Sequence, residues 1–120
     1  MIAFILDLDV TGEWGLNRLY AGVHWSKRKC QAEQIHGLVR ATLVKKRIPR
    51  KAFTKPVNVR ISYNSRLDID NHGYLSKLII DGLKGYLLED DRRKYIRGLH
   101  QCFWEGKGVL VEIFEKGEEM

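Results

Sequence analysis

Apolar residues recur along this chain with two periods, and the periods divide it into strands and helices. From Ile2 to Val10, the residues Ile2, Phe4, Leu6, Leu8 and Val10 alternate with polar neighbours that include Asp7 and Asp9, which predicts a half-buried strand. Asp7 and Asp9 then read as its solvent face. Gly12 to Gly22 reads as a loop. Ser26 is a capping type ahead of Ile35, Leu38, Val39, Thr42 and Leu43, whose helical spacing predicts a helix to about Lys46. Val57, Val59, Ile61 and Tyr63 alternate with Asn58, Arg60, Ser62 and Asn64, the cleanest strand pattern in the sequence.

A second helix is expected to begin at Asp70 or Asn71 and to end near Gly85, a residue suited to the left-handed conformation past a helix end. Two further strands are expected, at about 94–104 and 109–115, with Glu105-Gly106-Lys107-Gly108 as a hairpin turn between them. The order is β-α-β-α-β-β. This implies one α+β domain over residues 1–120, with a mixed sheet and its helices packed on one face.

Charge sharpens the picture. Lys and Arg number 21 against 15 Asp and Glu, a formal net charge of +6, which favours polyanionic partners because neutralising phosphates releases their counterions. Cys30 and Cys102 stand in unrelated contexts and suggest neither a metal ribbon nor a disulfide framework, as suits a reducing compartment. The apolar start, Met1 to Leu6, is short and runs into Asp7, so no signal peptide is expected. No run is long and apolar enough to span a membrane. A cytoplasmic protein is expected.

Within this basic chain one segment concentrates acids: Arg66-Leu67-Asp68-Ile69-Asp70-Asn71, then Lys77, Asp81 and Asp90-Asp91. On a helical wheel Asp70, Tyr74, Lys77 and Asp81 fall on one stripe, while Leu75, Leu78, Ile79, Gly82 and Leu83 face the core. A return after the helix could bring Asp90-Asp91 beside Asp68 and Asp70. Three or four convergent carboxylates suit Mg²⁺, which wants oxygen ligands and leaves positions for substrate phosphate. The blander reading makes Asp-x-Asp-Asn a helix cap and Asp-Asp a turn.

The combination resembles the RusA family of Holliday-junction resolvases, small phage- and prophage-associated endonucleases. The resemblance rests on Asp68-Ile69-Asp70-Asn71, Lys77-Leu78-Ile79-Ile80-Asp81-Gly82-Leu83 and Leu88-Glu89-Asp90-Asp91, with a weaker echo in Asn17-x-x-Tyr20. It implies Mg²⁺- or Mn²⁺-dependent cleavage of four-way DNA junctions by a homodimer. It also implies metal-binding aspartates at Asp68, Asp70 and Asp91, and an essential lysine at Lys77. In the founding member that lysine lies closer to the asparagine, and the basic run before Asp-x-Asp is here reduced to Arg66.

The expected roles follow. Asp68, Asp70 and Asp91 hold the metal, Lys77 assists, and Asn71, Asp81 and Asp90 support them. Arg66, Arg92, Arg93 and Lys94 meet phosphate, with Lys46, Arg47, Arg50 and Lys51 adding backbone contacts. Lys27, Arg28 and Lys29 belong to the same basic body. Trp14, Trp25 and Trp104 could stack on unpaired bases, although core packing suits at least two of them. His72 reads as an exposed helix residue. The alternatives are a nuclease for other branched DNA or RNA, and a catalytically silent DNA-binding protein.

Overall fold

A computed structural model describes residues 1–115, 117 and 118. Its main elements are β1 (Ile2–Leu6), α1 (Leu16–Tyr20), α2 (Trp25–Lys45), β2 (Val57–Tyr63), α3 (Gly73–Leu83), β3 (Ile96–Phe103) and β4 (Val109–Glu115). Single 3₁₀ turns at Gly12–Trp14 and Ile69–His72 precede α1 and α3. The strands form one mixed sheet in the order β1-β4-β2-β3, in which β4 runs antiparallel to both neighbours and β2 parallel to β3.

The apolar period of β2 explains its burial: Val57, Val59, Ile61 and Tyr63 are fully buried on the helical side. They meet Val109, Val111 and Ile113 from β4 and Ile35, Val39, Leu43, Leu75, Ile79 and Leu83 from the helices in one core. Each such side chain contributes roughly 1.5–3 kcal/mol through removal from water. The two long helices lie close together at Gly82, where a Cβ would stand only 3.1 Å from the Val39 side chain and push it by a few tenths of an ångström. Tyr74 near the start of α3 donates to Gln31 near the start of α2, and Gly82 near the end meets Val39, so the helices run the same way.

Four expectations change. β1 stops at Leu6, where the Leu8 amide turns back onto the Leu6 carbonyl, so Asp7 and Asp9 lie beyond the strand. The Gly12–Gly22 stretch is structured as a 3₁₀ turn and a short helix. The α2 cap is His24, whose Nδ1 accepts from the Ser26 amide at 3.2 Å. β3 and β4 form no hairpin, because β2 lies between them. Residues 104–108 instead arch over the end of β2, held by the Trp104 amide on the Tyr63 carbonyl (3.0 Å) and Asn64 Nδ2 on the Gly106 carbonyl (2.9 Å).

This topology gives the molecule two functional ends. β1, β2 and β3 all point one way, and α2 and α3 return. One end carries the segments that follow β1 and β2 and the starts of α2 and α3. The other carries the segment after α2 and the connection between α3 and β3.

Candidate functional site

The Asp68–Asn71 turn sits at the first end and is built on a buried polar network. His72 is fully buried and stacks on Tyr63 at 4.2 Å, with Phe103 edge-on at 5.7 Å. The expectation of an exposed His72 therefore fails: the 3₁₀ turn rotates it inward. Its Nδ1 lies 3.0 Å from the Ile69 carbonyl, which can only accept, so Nδ1 carries a proton. In the neutral ring Nε2 then accepts from the Ser65 hydroxyl at 2.6 Å, and Ser65 Oγ accepts from the Leu67 amide. Beneath it, the Tyr63 hydroxyl lies 2.6 Å from Ser76 Oγ, which donates to Gln101. Burial raises the Tyr63 pKa well above the usual phenol range.

Asn71 ties the turn sideways. Its Oδ1 accepts from the Asn17 amide at 2.7 Å, and a Cβ on Gly15 would lie 3.0 Å from its Nδ2. Asn71 thus positions α1 against the turn.

Asp68 and Asp70 themselves are exposed. Among the described residues neither side chain makes an ion pair or a hydrogen bond, and Asp68, although it precedes the 3₁₀ turn, does not cap it. Both carboxylates are free for a ligand. Upstream of them runs an open cleft of about 430 Å³ lined by Asp7, Asp9, Asn64, Glu105 and Lys107. It continues past Asp9 and Asn64 to Arg66 and Leu67. Asp7 and Asp9, read from the sequence as a strand's solvent face, thus share this end with Asp68; their Asp-x-Asp spacing was the available signal.

The other acids gather elsewhere. Lys84, immediately after α3, places its Nζ 3.0 Å from Asp81 Oδ1, 3.1 Å from Asp91 Oδ2 and 3.9 Å from Asp90 Oδ1. Lys77 Nζ donates to Asp81 Oδ2 at 2.9 Å, and Arg92 pairs with Asp90 at 2.9 Å. Burial pushes the Asp81 carboxyl up, but Lys77 and Lys84 outweigh it and hold the pKa below the usual carboxylate value. Lys84 is raised, first by Asp81 and then, against an opposing effect of burial, by Asp91. The Asp91 amide, donating to Asp90 Oδ1 at 2.8 Å, lowers the Asp90 pKa.

These acids are therefore not beside Asp68 and Asp70 within one chain. The eleven residues of α3 separate the two groups by about 16 Å at 1.5 Å per residue. β2 separates them equally: the Asp68 turn follows its end, whereas the Val57 amide at its start binds the Tyr95 carbonyl. Lys77 is directed toward Asp81, along the helix and away from Asp70. Among the described residues no three His, Cys, Asp or Glu side chains gather closely enough to hold a metal.

The basic residues divide likewise. Arg50 donates to the Gly85 carbonyl at 2.8 Å, and Arg40 donates to the Gly82 and Lys84 carbonyls, so two guanidiniums satisfy the C-terminal end of α3. Lys46, Arg47, Lys51, Arg93 and Lys94 are exposed at this second end, with Arg92 held by Asp90. Arg66 precedes the Asp68–Asp70 turn in the chain, α1 packs against that turn through Asn17, and Arg18, Lys27, Arg28 and Lys29 are exposed on α1 and the start of α2. Of the tryptophans, Trp14 is buried and Trp25 is 64% exposed. No helix is long and apolar enough to cross a membrane. No known protein family and no curated protein matches this sequence.

Proposed function

We propose that this protein is a Mg²⁺-dependent endonuclease for branched DNA, of the RusA type, acting as a homodimer. The observation that carries the reading is the pair Asp68 and Asp70: exposed, uncapping and unpaired on a rigidly supported turn, in a chain of net charge +6. Asp81, Asp90 and Asp91, the acids at the far end of α3, are neutralised by Lys77, Lys84 and Arg92; these two are not. Mg²⁺ is commonly held by one or two carboxylates, with water and substrate phosphate filling the remaining positions, so the pair fits this ion. When bound, such an ion acidifies water and polarises a phosphoryl oxygen. The protein's part is to hold the carboxylates on the His72-braced turn and to draw the phosphate backbone toward them with Arg66.

Asp91 joins the pair only from a second copy. β3 is an edge strand on which Leu99 and Phe103 are exposed, as is Ile69 in the 3₁₀ turn before α3. Antiparallel pairing of β3 with its copy across a twofold axis would set the end of one β3, next to the Asp68–Asp70 turn, against the start of the other, next to Asp90-Asp91. Arg93 and Lys94 of the second copy would then face the uncompensated Asp68 and Asp70. Two equivalent sites result, as paired incision of a four-way junction requires.

The test is incubation with a labelled four-way junction, with and without Mg²⁺. Metal-dependent paired nicks are expected. Tight, salt-sensitive binding without any cutting would favour a DNA-binding protein instead, and cutting of flaps or forks alone would favour the other branched substrates.

A further inference from the structure

Besides Phe103, which sits edge-on to His72, two large aromatic side chains are left in water at the same end as Asp68 and Asp70. Tyr20 closes α1 at 77% exposure and Trp25 opens α2 at 64%. Between them the chain turns through Gly22 at φ +107°, where a Cβ would meet nothing within 4 Å. His24, in that turn, lies 5.7 Å from Trp25 at an interplanar angle of 33°. Both rings are thus open to solvent over most of their surface.

Its charge has one sign. Arg18, Lys27, Arg28 and Lys29 are all exposed, and no acidic residue occurs between Glu13 and Glu33. The Asn17–Asn71 hydrogen bond fastens this surface to the turn that bears Asp70. Such a surface suits a strand with negative charge along its backbone and flat apolar faces at regular intervals.

We propose that Tyr20 and Trp25 form a stacking platform for unpaired nucleotides, with Arg18, Lys27, Arg28 and Lys29 holding their phosphates. A duplex end or branch point has to expose bases to use it, so the platform selects single-stranded segments next to the carboxylate pair. The proposal rests on the nucleic-acid reading above, but it concerns binding and needs neither metal nor cleavage.

The test uses the full chain in chelator with a fluorescein-labelled oligothymidylate of about twelve nucleotides, within the site sizes typical of single-strand binders. Trp25→Ala and Tyr20→Ala should each weaken binding about tenfold, the middle of what loss of one stacked base produces. Affinity for a blunt duplex of the same length should change less than about twofold. Bound oligonucleotide should quench tryptophan fluorescence in the parent and not in Trp25→Phe. Both side chains are exposed, so melting temperatures should stay at the parent value and confirm folded variants.

Unchanged oligonucleotide affinity in both alanine variants overturns the platform. So does a shift from dimer to monomer in Trp25→Ala, which would assign the surface to a second copy, or tighter binding to phosphatidylserine vesicles than to the oligonucleotide. Failure of the nuclease reading has a different signature: the oligonucleotide results would hold while junction DNA stays uncut with Mg²⁺.

Discussion

Asp70→Asn and Asp91→Asn should each abolish junction cleavage alone and restore part of it when mixed. Both substitutions keep the side chain's shape on an exposed site. Asp70 loses no hydrogen bond or ion pair among the described residues, so its stability cost should lie within about 0.5 kcal/mol. Asp91 loses its 3.1 Å contact with Lys84, an exposed pair whose removal costs at most about 1 kcal/mol. Unfolding therefore cannot account for lost activity. Within one chain the two carboxylates lie about a helix length apart, roughly 16 Å, too far to share an ion. In a twofold dimer that joins Asp70 of one copy to Asp91 of the other, a mixed dimer has one site with both substitutions and one with neither. Denaturing the two variants, combining them equally and refolding should make about half of the dimers mixed, and so recover about a quarter of the parent's sites. Those sites should nick single strands of a four-way junction, visible on a denaturing gel, rather than make paired cuts. Recovery no greater than the sum of the separate variants refutes sharing across the dimer. Parent-level cutting by Asp91→Asn alone would reduce Asp91 to a partner for Lys84.

Asp70→Asn should also bind a junction at least as tightly as the parent in a gel-shift assay, since one negative charge facing the polyanion is gone. Mg²⁺ and Mn²⁺ should support cutting, whereas Ca²⁺ should support binding with little turnover, because its longer and looser coordination positions water poorly; undiminished cutting in excess chelator would sink the metal reading. His72→Ala should lower stability by about 3 kcal/mol in denaturant titration, through a cavity beside Tyr63 and the loss of partners for Ser65 and the Ile69 carbonyl. Asp81 has a depressed pKa in the folded state, so its contribution is present above its unfolded value near 4 and is lost as pH falls through the folded one. Asp81→Asn should therefore be less stable than the parent at pH 7, by about 1 kcal/mol, and the difference should vanish toward pH 2. Lys84, raised in the folded state, adds stability that is present below its unfolded value near 10.5 and fades as pH rises further.

Periodicity made β2 and α3 legible, because burial on one side leaves a direct record in the order of side chains. It overran β1, since Val10 is buried as well: the core accepts an apolar residue from a loop as readily as from a strand. The short loop before β4 looked like a hairpin because turn residues report a reversal and not which strand is met after it. Pairing was decided by contacts distant in sequence, Ile61 with Val111 and Ile2 with Ile113. At the site, spacing revealed Asp68, Asp70 and the Lys77–Asp81 pair but missed Lys84, although its i,i+3 relation to Asp81 was readable. The separation of Asp91 from Asp70 was also implicit, since an eleven-residue helix lies between them. The inward turn of His72 was not, because a 3₁₀ segment shifts the angle at which each side chain leaves the backbone.

The insertion of β4 between β1 and β2 makes residues 109–115 the latest in chain order of the sheet's four strands and one of the two innermost. Until they emerge, β1 has no strand beside it and β2 has β3 alone, so the nascent chain can form its helices and the β2-α3-β3 unit but cannot close its core. Folding therefore waits for β4 and must draw two distant segments together around a third. That requirement slows the rate-limiting step relative to a meander of the same size, since the entropy of closing so long a loop is lost before its contacts form. A chain interrupted before Val109 would present two bare strand edges to its neighbours, which makes truncated products of this protein candidates for aggregation or rapid proteolysis.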